Sequence, residues 1–127
     1  MLSNYAISPT LPAQDINRAK KFYMEKVGLK ESSEGSGEPN SASFECGQGT
    51  KLYIYLRPPV KVEHTLAGWT VKDLAAEMKE LQSRGVTFEE YDFPGLKTIN
   101  GIATLGTTKA AWFKDSEGNI LGLTQKD

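Results

Sequence analysis

Cysteine and histidine are almost missing from this chain: among 127 residues there is one of each, Cys46 and His64. A lone cysteine closes no intrachain disulfide, so the fold is expected to rest on its core and to live in a reducing cytoplasm. A lone histidine leaves few imidazole donors for a transition metal. An excess of either charge is missing too. Lys and Arg number 15 against 16 Asp and Glu, a net charge of −1. That balance offers no basic field to a nucleic-acid backbone or an anionic membrane. No apolar run approaches the roughly 20 residues of a membrane-spanning helix. Met1 to Asp15 has neither the basic start nor the apolar stretch of a secretory signal. What is present is ordinary globular usage, 39% hydrophobic and 24% charged, at a length expected to make one domain over 1–127.

Two segments have helical periodicity. In Asp15 to Val27, Asp15 serves as N-cap and Gly28 as the stop. Ile16, Ala19, Phe22, Tyr23 and Val27 form its apolar stripe, which turns Phe22 and Tyr23 inward alike. In Asp73 to Arg84, Asp73 is the cap, Gly85 the stop, and Leu74, Met78 and Leu81 the stripe. Strands are expected at Tyr5 to Leu11, Leu29 to Ser33, Ser41 to Cys46, Lys51 to Arg57, Leu66 to Val71, Val86 to Tyr91, Lys109 to Lys114 and Asn119 to Thr124. Gly47-Gln48-Gly49 reads as a hairpin turn, and Asp115-Ser116-Glu117-Gly118 as a second. Ser32 to Asn40 is expected to be a mobile loop. Phe93 to Gly106 is expected to be a loop long enough to act as a lid. Glu89, Glu90 and Asp92 are read as a solvated strand end.

Written as elements, the chain is β-α-β-β-β twice. Pro58-Pro59 and Lys61 to Glu63 form the linker, giving one module over about 1–58 and another over about 64–127.

This arrangement resembles the vicinal-oxygen-chelate superfamily, which contains glyoxalase I, bleomycin-resistance proteins and extradiol dioxygenases. The residues that carry the resemblance are Pro9-Thr10-Leu11-Pro12-Ala13-Gln14-Asp15, Ala19, Phe22-Tyr23 and Val27-Gly28-Leu29. In the second half they are Trp69-Thr70-Val71-Lys72-Asp73-Leu74, Leu81, Arg84-Gly85-Val86 and Phe88. The close, Ala111-Trp112-Phe113-Lys114-Asp115-Ser116-Glu117-Gly118-Asn119, is similar to the family's aromatic-x-Asp-Pro-Asp-Gly-Asn turn, with Ser116 and Glu117 at the Pro and Asp places. The resemblance implies an α+β fold: two β-α-β-β-β modules packed as one domain, curled mixed sheets enclosing a cleft, and helices outside.

In metal-binding members of that family, His and Glu side chains hold one divalent ion that chelates neighbouring substrate oxygens. Position by position, the resemblance puts Ser8 and Leu66 at the two histidine places, seven residues before Asp15 and Asp73. It puts Gly122 at the glutamate place and Tyr53 or Tyr55 near the fourth. Ser, Leu, Gly and neutral Tyr make no cage, so no metal and no cofactor is expected. A displaced site would have to use His64 with Glu45 or Cys46; two protein donors are thin, and His64 is read as a solvated linker residue. Nucleophilic catalysis lacks a serine elbow, and Gly47-Gln48-Gly49 is too short for a phosphate loop and precedes no helix.

Strand alternation assigns the cleft side to Ser8, Thr10, Tyr53, Tyr55, Leu66, Gly68, Thr70, Ile120, Gly122 and Thr124, with Trp112 as a further candidate. It sends Ile7, Leu11, Trp69, Val71, Leu121 and Leu123 to the helix side. Gly68 and Gly122 are expected to leave room for a ligand ring. These features fit a metal-free binder of an amphiphilic organic molecule, a homodimer without nucleic-acid or membrane partners. The alternatives are a divalent-metal lyase, isomerase or dioxygenase of glyoxalase type, and a non-catalytic structural or regulatory dimer.

Overall fold

Both capping aspartates start helices. In the computed structural model, which describes residues 1–126, α1 spans Ile16–Glu25 and α2 spans Leu74–Ser83. The Asp15 carboxylate accepts from the Arg18 amide at 3.0 Å, and that of Asp73 from the Ala76 amide at 3.1 Å. Each thereby satisfies one of the amides a helix start leaves unpaired. Gly28 and Gly85 follow in the left-handed region, with φ of 80° and 93°, where they end the helices.

The chain divides into two compact units, Met1–Lys61 and a second that begins at Val62. The first carries β1 (Thr10–Ala13), β2 (Lys30–Glu31), β3 (Ser41–Glu45) and β4 (Lys51–Leu56). Their order in the sheet is β1-β4-β3-β2, with β1 and β4 parallel and the rest antiparallel. The second carries β5 (Thr65–Thr70), β6 (Asp92–Phe93), β7 (Leu96–Ile99), β8 (Ile102–Leu105), β9 (Thr108–Lys114) and β10 (Ile120–Lys126). Their order is β5-β10-β9-β8-β7-β6, with only β5 and β10 parallel. The class is therefore α+β with two mixed sheets, neither closed into a barrel. No described helix is long and apolar enough to cross a membrane.

In the first unit Leu11, Ala19, Tyr23, Phe44, Leu52 and Ile54 are buried, and the Tyr23 and Phe44 rings lie 5.6 Å apart. Phe22 is only half-buried, so the stripe of α1 is centred on Ala19 and Tyr23. In the second unit Leu74, Met78, Leu81, Phe88, Phe113, Leu121 and Leu123 are buried. Phe88 meets Phe113 edge-on at 5.5 Å.

Several expectations are corrected. Tyr5 to Pro9 is not strand; Pro9 has no amide to donate, and β1 begins at Thr10. Ile7 is exposed rather than turned to the helix. Trp69 and Val71 are half-buried rather than core. Val86 to Tyr91 contributes one isolated bridge, Phe88 to Phe113, instead of a strand. Phe93 to Gly106 is no lid: it is built into the sheet as β6, β7 and β8, so the second half carries six strands. Asn100 and Gly101 (φ 53° and 80°) turn the chain between Ile99 and Ile102. Asn-Gly between apolar residues is a strong hairpin signal in sequence. Glu90 is not a solvated end group either, since its Oε1 accepts from Thr98 Oγ1 at 2.6 Å and the Gly101 amide at 2.7 Å.

The turn after β9 is held by a buried carboxylate. Asp115 Oδ1 accepts from the amides of Glu117 (2.8 Å) and Asn119 (2.9 Å), and Oδ2 from Asn119 Nδ2 (2.8 Å). Asn119 is itself buried. Asp115→Ala strands these donors and is expected to cost about 1–3 kcal/mol, read as a lower denaturation midpoint.

Candidate functional site

In the first unit the face of the sheet turned away from α1 is set by the β4 alternation. Leu52 and Ile54 are buried toward the helix, which leaves Lys51, Tyr53 and Tyr55 on the opposite face. Register places Thr10 beside Tyr53, and Ser43 and Ser41 beside Tyr53 and Tyr55. The two tyrosine rings stack at 6.4 Å with 28° between planes. Arg57, just beyond β4, holds its guanidinium 5.8 Å over the Tyr55 ring. One face of the strand thus presents cation, phenol, phenol, cation.

The Ser32 to Asn40 loop is tied to this face. Glu34 Oε2 receives Lys51 Nζ at 2.9 Å, Glu38 Oε2 receives the Tyr53 hydroxyl at 2.9 Å, and Ser41 Oγ meets Ser36 Oγ at 2.7 Å. The hydrogen bond from Lys51 holds the Glu34 carboxyl below the usual glutamate range. A pocket of about 420 Å³ opens at the loop's far end, among Gln14, Asp15, Asn40, Ser41 and Leu56.

In the second unit the face opposite α2 carries Trp112, which register sets beside Gly122, and Gly122 beside Gly68. Tyr91 packs edge-on against Trp112 at 5.6 Å and lies 5.8 Å from Phe93. Burial, and secondarily the charge of Glu89, pushes the Tyr91 phenol above its ordinary pKa. Glu89 in turn pairs with Lys114 at 3.3 Å.

The expected residues fall as follows. Thr10, Tyr53 and Tyr55 lie together on the first sheet face, while Ser8 precedes β1 and is exposed. Gly68, Gly122 and Trp112 are neighbours on the second, where Thr70 and Thr124 approach at 3.5 Å. Ile120 shares that face but is buried. Leu66 is the extra residue of a β-bulge: Thr65 pairs with Ile120 and Ala67 with Leu121, so simple alternation fails there. Thr65, which sequence reasoning missed, pairs with Ile120 and brings its methyl within 3.4 Å of where a Cβ on Gly122 would lie.

The two glycines do not leave space for a ring. A Cβ on Gly68 would lie 2.8 Å from the Gly122 carbonyl oxygen. A Cβ on Gly122 would lie 3.4 Å from both the Thr65 methyl and Trp112 Cδ1. Close backbone approach and the indole occupy those places. Lys51, Arg57, Glu34 and Glu38 were also missed, although the period-2 run Lys51, Tyr53, Tyr55, Arg57 is legible in the sequence.

The donor set does not fit a divalent ion. Ser8, Leu66 and Gly122 offer one neutral hydroxyl, and a neutral tyrosine such as Tyr53 or Tyr55 is a poor ligand for most divalent ions. Among the described residues no three His, Cys, Asp or Glu side chains are grouped to hold a metal. His64 is exposed in a bend before β5, and Glu45 and Cys46 belong to the first unit.

A search among curated protein sequences gives no match. Solved structures do match. A superfamily member from Sphaerobacter thermophilus DSM 20745 is similar at TM-score 0.72 and 22% identity, covering 96% of this chain and 97% of that one. TnmS3, an antibiotic binding protein from Streptomyces sp. CB03234, is similar at TM-score 0.66 and 23% identity, with 97% and 96% covered. FosX, a fosfomycin resistance protein from Listeria monocytogenes, is similar at TM-score 0.66 and 13% identity, with 97% and 91% covered. At these identities the likeness is one of fold. A family model, by contrast, matches residues 6–123, and on that match the chain belongs to the glyoxalase/bleomycin resistance protein/dioxygenase superfamily.

Proposed function

We propose that this protein binds a small amphiphilic organic molecule without a metal ion, using the first unit's sheet face. The observation that carries this reading is the stacked Tyr53–Tyr55 pair, flanked by Lys51 and Arg57 and bordered by Thr10 and Ser41. Two phenol rings offer apolar area at small entropic cost, and the hydroxyls and cations orient a polar ligand. The similarity in fold to an antibiotic binding protein supports a binding role. A divalent-metal lyase, isomerase or dioxygenase would need several donors converging at about 2.0–2.6 Å, which Ser8, Leu66 and Gly122 do not supply.

A thermal-shift screen of organic molecules, with and without chelator, tests the proposal. A ligand at about a hundred times its Kd should add about 2.7 kcal/mol of stability, and chelator should leave that gain intact. Stoichiometric zinc, nickel, iron or manganese in the untreated protein, or a gain that chelator removes, overturns the metal-free reading.

We also propose a homodimer. Leu2, Tyr5 and Ile7 are 84%, 74% and 89% exposed, an apolar run that water solvates poorly and a second copy would cover. Light scattering at micromolar concentration should give twice the chain mass; a monomer mass rules the dimer out, and a dimer unaffected by replacing the three residues with serine rules out this interface.

A further inference from the structure

Resting on the binding role just proposed, we infer that residues 33–39 are an autoinhibitory strap whose two carboxylates stand in for the ligand, so that the face takes a planar organic anion. Glu34 and Glu38 sit on the two groups of β4 best suited to an acidic ligand. Glu34 meets the Lys51 ammonium and Glu38 the Tyr53 hydroxyl, each at 2.9 Å. Both partners lie on the face that carries the Tyr53–Tyr55 stack, and Arg57 extends the positive charge over Tyr55. A flat aromatic body laid on the phenols, with an acidic group toward Lys51, would use the same contacts the strap uses now.

The strap is held so that it can leave. Among the described residues, no backbone–backbone hydrogen bond joins residues 33–39 to a strand; the nearest are Ser32 to Ser43 and Leu56 to Asn40, one at each end. Its tethers are side-chain contacts. The Glu34 side chain is 80% exposed, and ion pairs of that kind contribute little to stability. At the hinge Ser32 is buried with Oγ unpartnered, so the covered arrangement leaves a hydroxyl unsatisfied. Weak tethers and an unsatisfied hinge suit a cover that a competing anion displaces.

Fluorescence titration with anilinonaphthalene sulfonate, an anion with a flat naphthalene body, and with phenylnaphthylamine, its uncharged counterpart, tests the inference. Three full-length proteins are compared: the parent, Glu34→Gln with Glu38→Gln, and Lys51→Met. The glutamine variant keeps the strap's shape, removes its charge and touches no core residue. It should bind the sulfonate about tenfold more tightly than the parent, with the neutral probe unchanged. Lys51→Met should lose affinity for the sulfonate and keep it for the neutral probe. Equal sulfonate affinity in parent and glutamine variant overturns the strap while leaving the binding role standing. An equal gain for both probes overturns the anionic class. Failure of all three proteins to bind either probe overturns both the binding role on this face and the inference built on it.

Discussion

Tyr23→Ala is expected to lower the unfolding free energy by about 3–5 kcal/mol, the cost of deleting a buried aromatic ring and leaving a cavity. Tyr23 is fully buried, edge-on to Phe22 at 5.4 Å and 5.6 Å from Phe44 on β3. It joins α1 to the first unit's sheet, so the loss is felt across that unit's core. Phe22→Ala is the internal control. Phe22 is adjacent in sequence and equally aromatic but only half-buried, so its truncation removes less apolar area from contact and should cost clearly less. Urea denaturation of both variants separates them. Equal midpoints would mean that α1 turns a different side to the sheet.

Gly68→Ala is the second change expected to be large, although it adds only one methyl group. The new Cβ would lie 2.8 Å from the Gly122 carbonyl oxygen and 3.4 Å from the carbonyl carbon. Both atoms are backbone of β10, the strand that pairs with β5 in parallel. A flexible side chain could step aside; a strand in the middle of its sheet can do so only by parting from β5. The expected cost is about 1–3 kcal/mol, with more for valine. Gly122→Ala makes the contrast, because its Cβ would meet side chains at 3.4 Å or more, ordinary packing distance. Thermal melts should rank parent, Gly122→Ala and Gly68→Ala in falling order. Equal melting for Gly68→Ala and parent would show that β5 and β10 are less tightly apposed.

Local chemistry was legible in the chain. Asp15 and Asp73 before apolar stripes, with Gly28 and Gly85 after them, announce two helices within a residue or two, because capping and termination depend on groups close in sequence. The β4 alternation placed Tyr53 and Tyr55 on one face, since period-2 geometry needs no knowledge of partners. The Asp115 to Gly118 turn was likewise plain, as a carboxylate and the amides just after it form a local unit.

Most departures arose where distant residues meet. Leu66 sits at a bulge whose extra residue is defined only by its pairing with β10. Phe93 to Gly106 became three strands because neighbouring strands accept its ladder bonds; Asn100-Gly101 marked one of the turns and was passed over. Gly68 and Gly122 looked like gaps, yet whether a missing side chain leaves a hole depends on what approaches it, here a carbonyl and an indole. The glycine- and serine-rich stretch from Ser32 to Asn40 reads in sequence only as a mobile loop, and its contacts are not legible there. It is placed by Lys51, Tyr53 and Ser41, contacts between side chains up to 17 positions apart. Composition and spacing by themselves determined the two helices and the α+β class. Only tertiary structure decided which faces are filled, because filling is a property of residues brought together by the fold rather than by sequence.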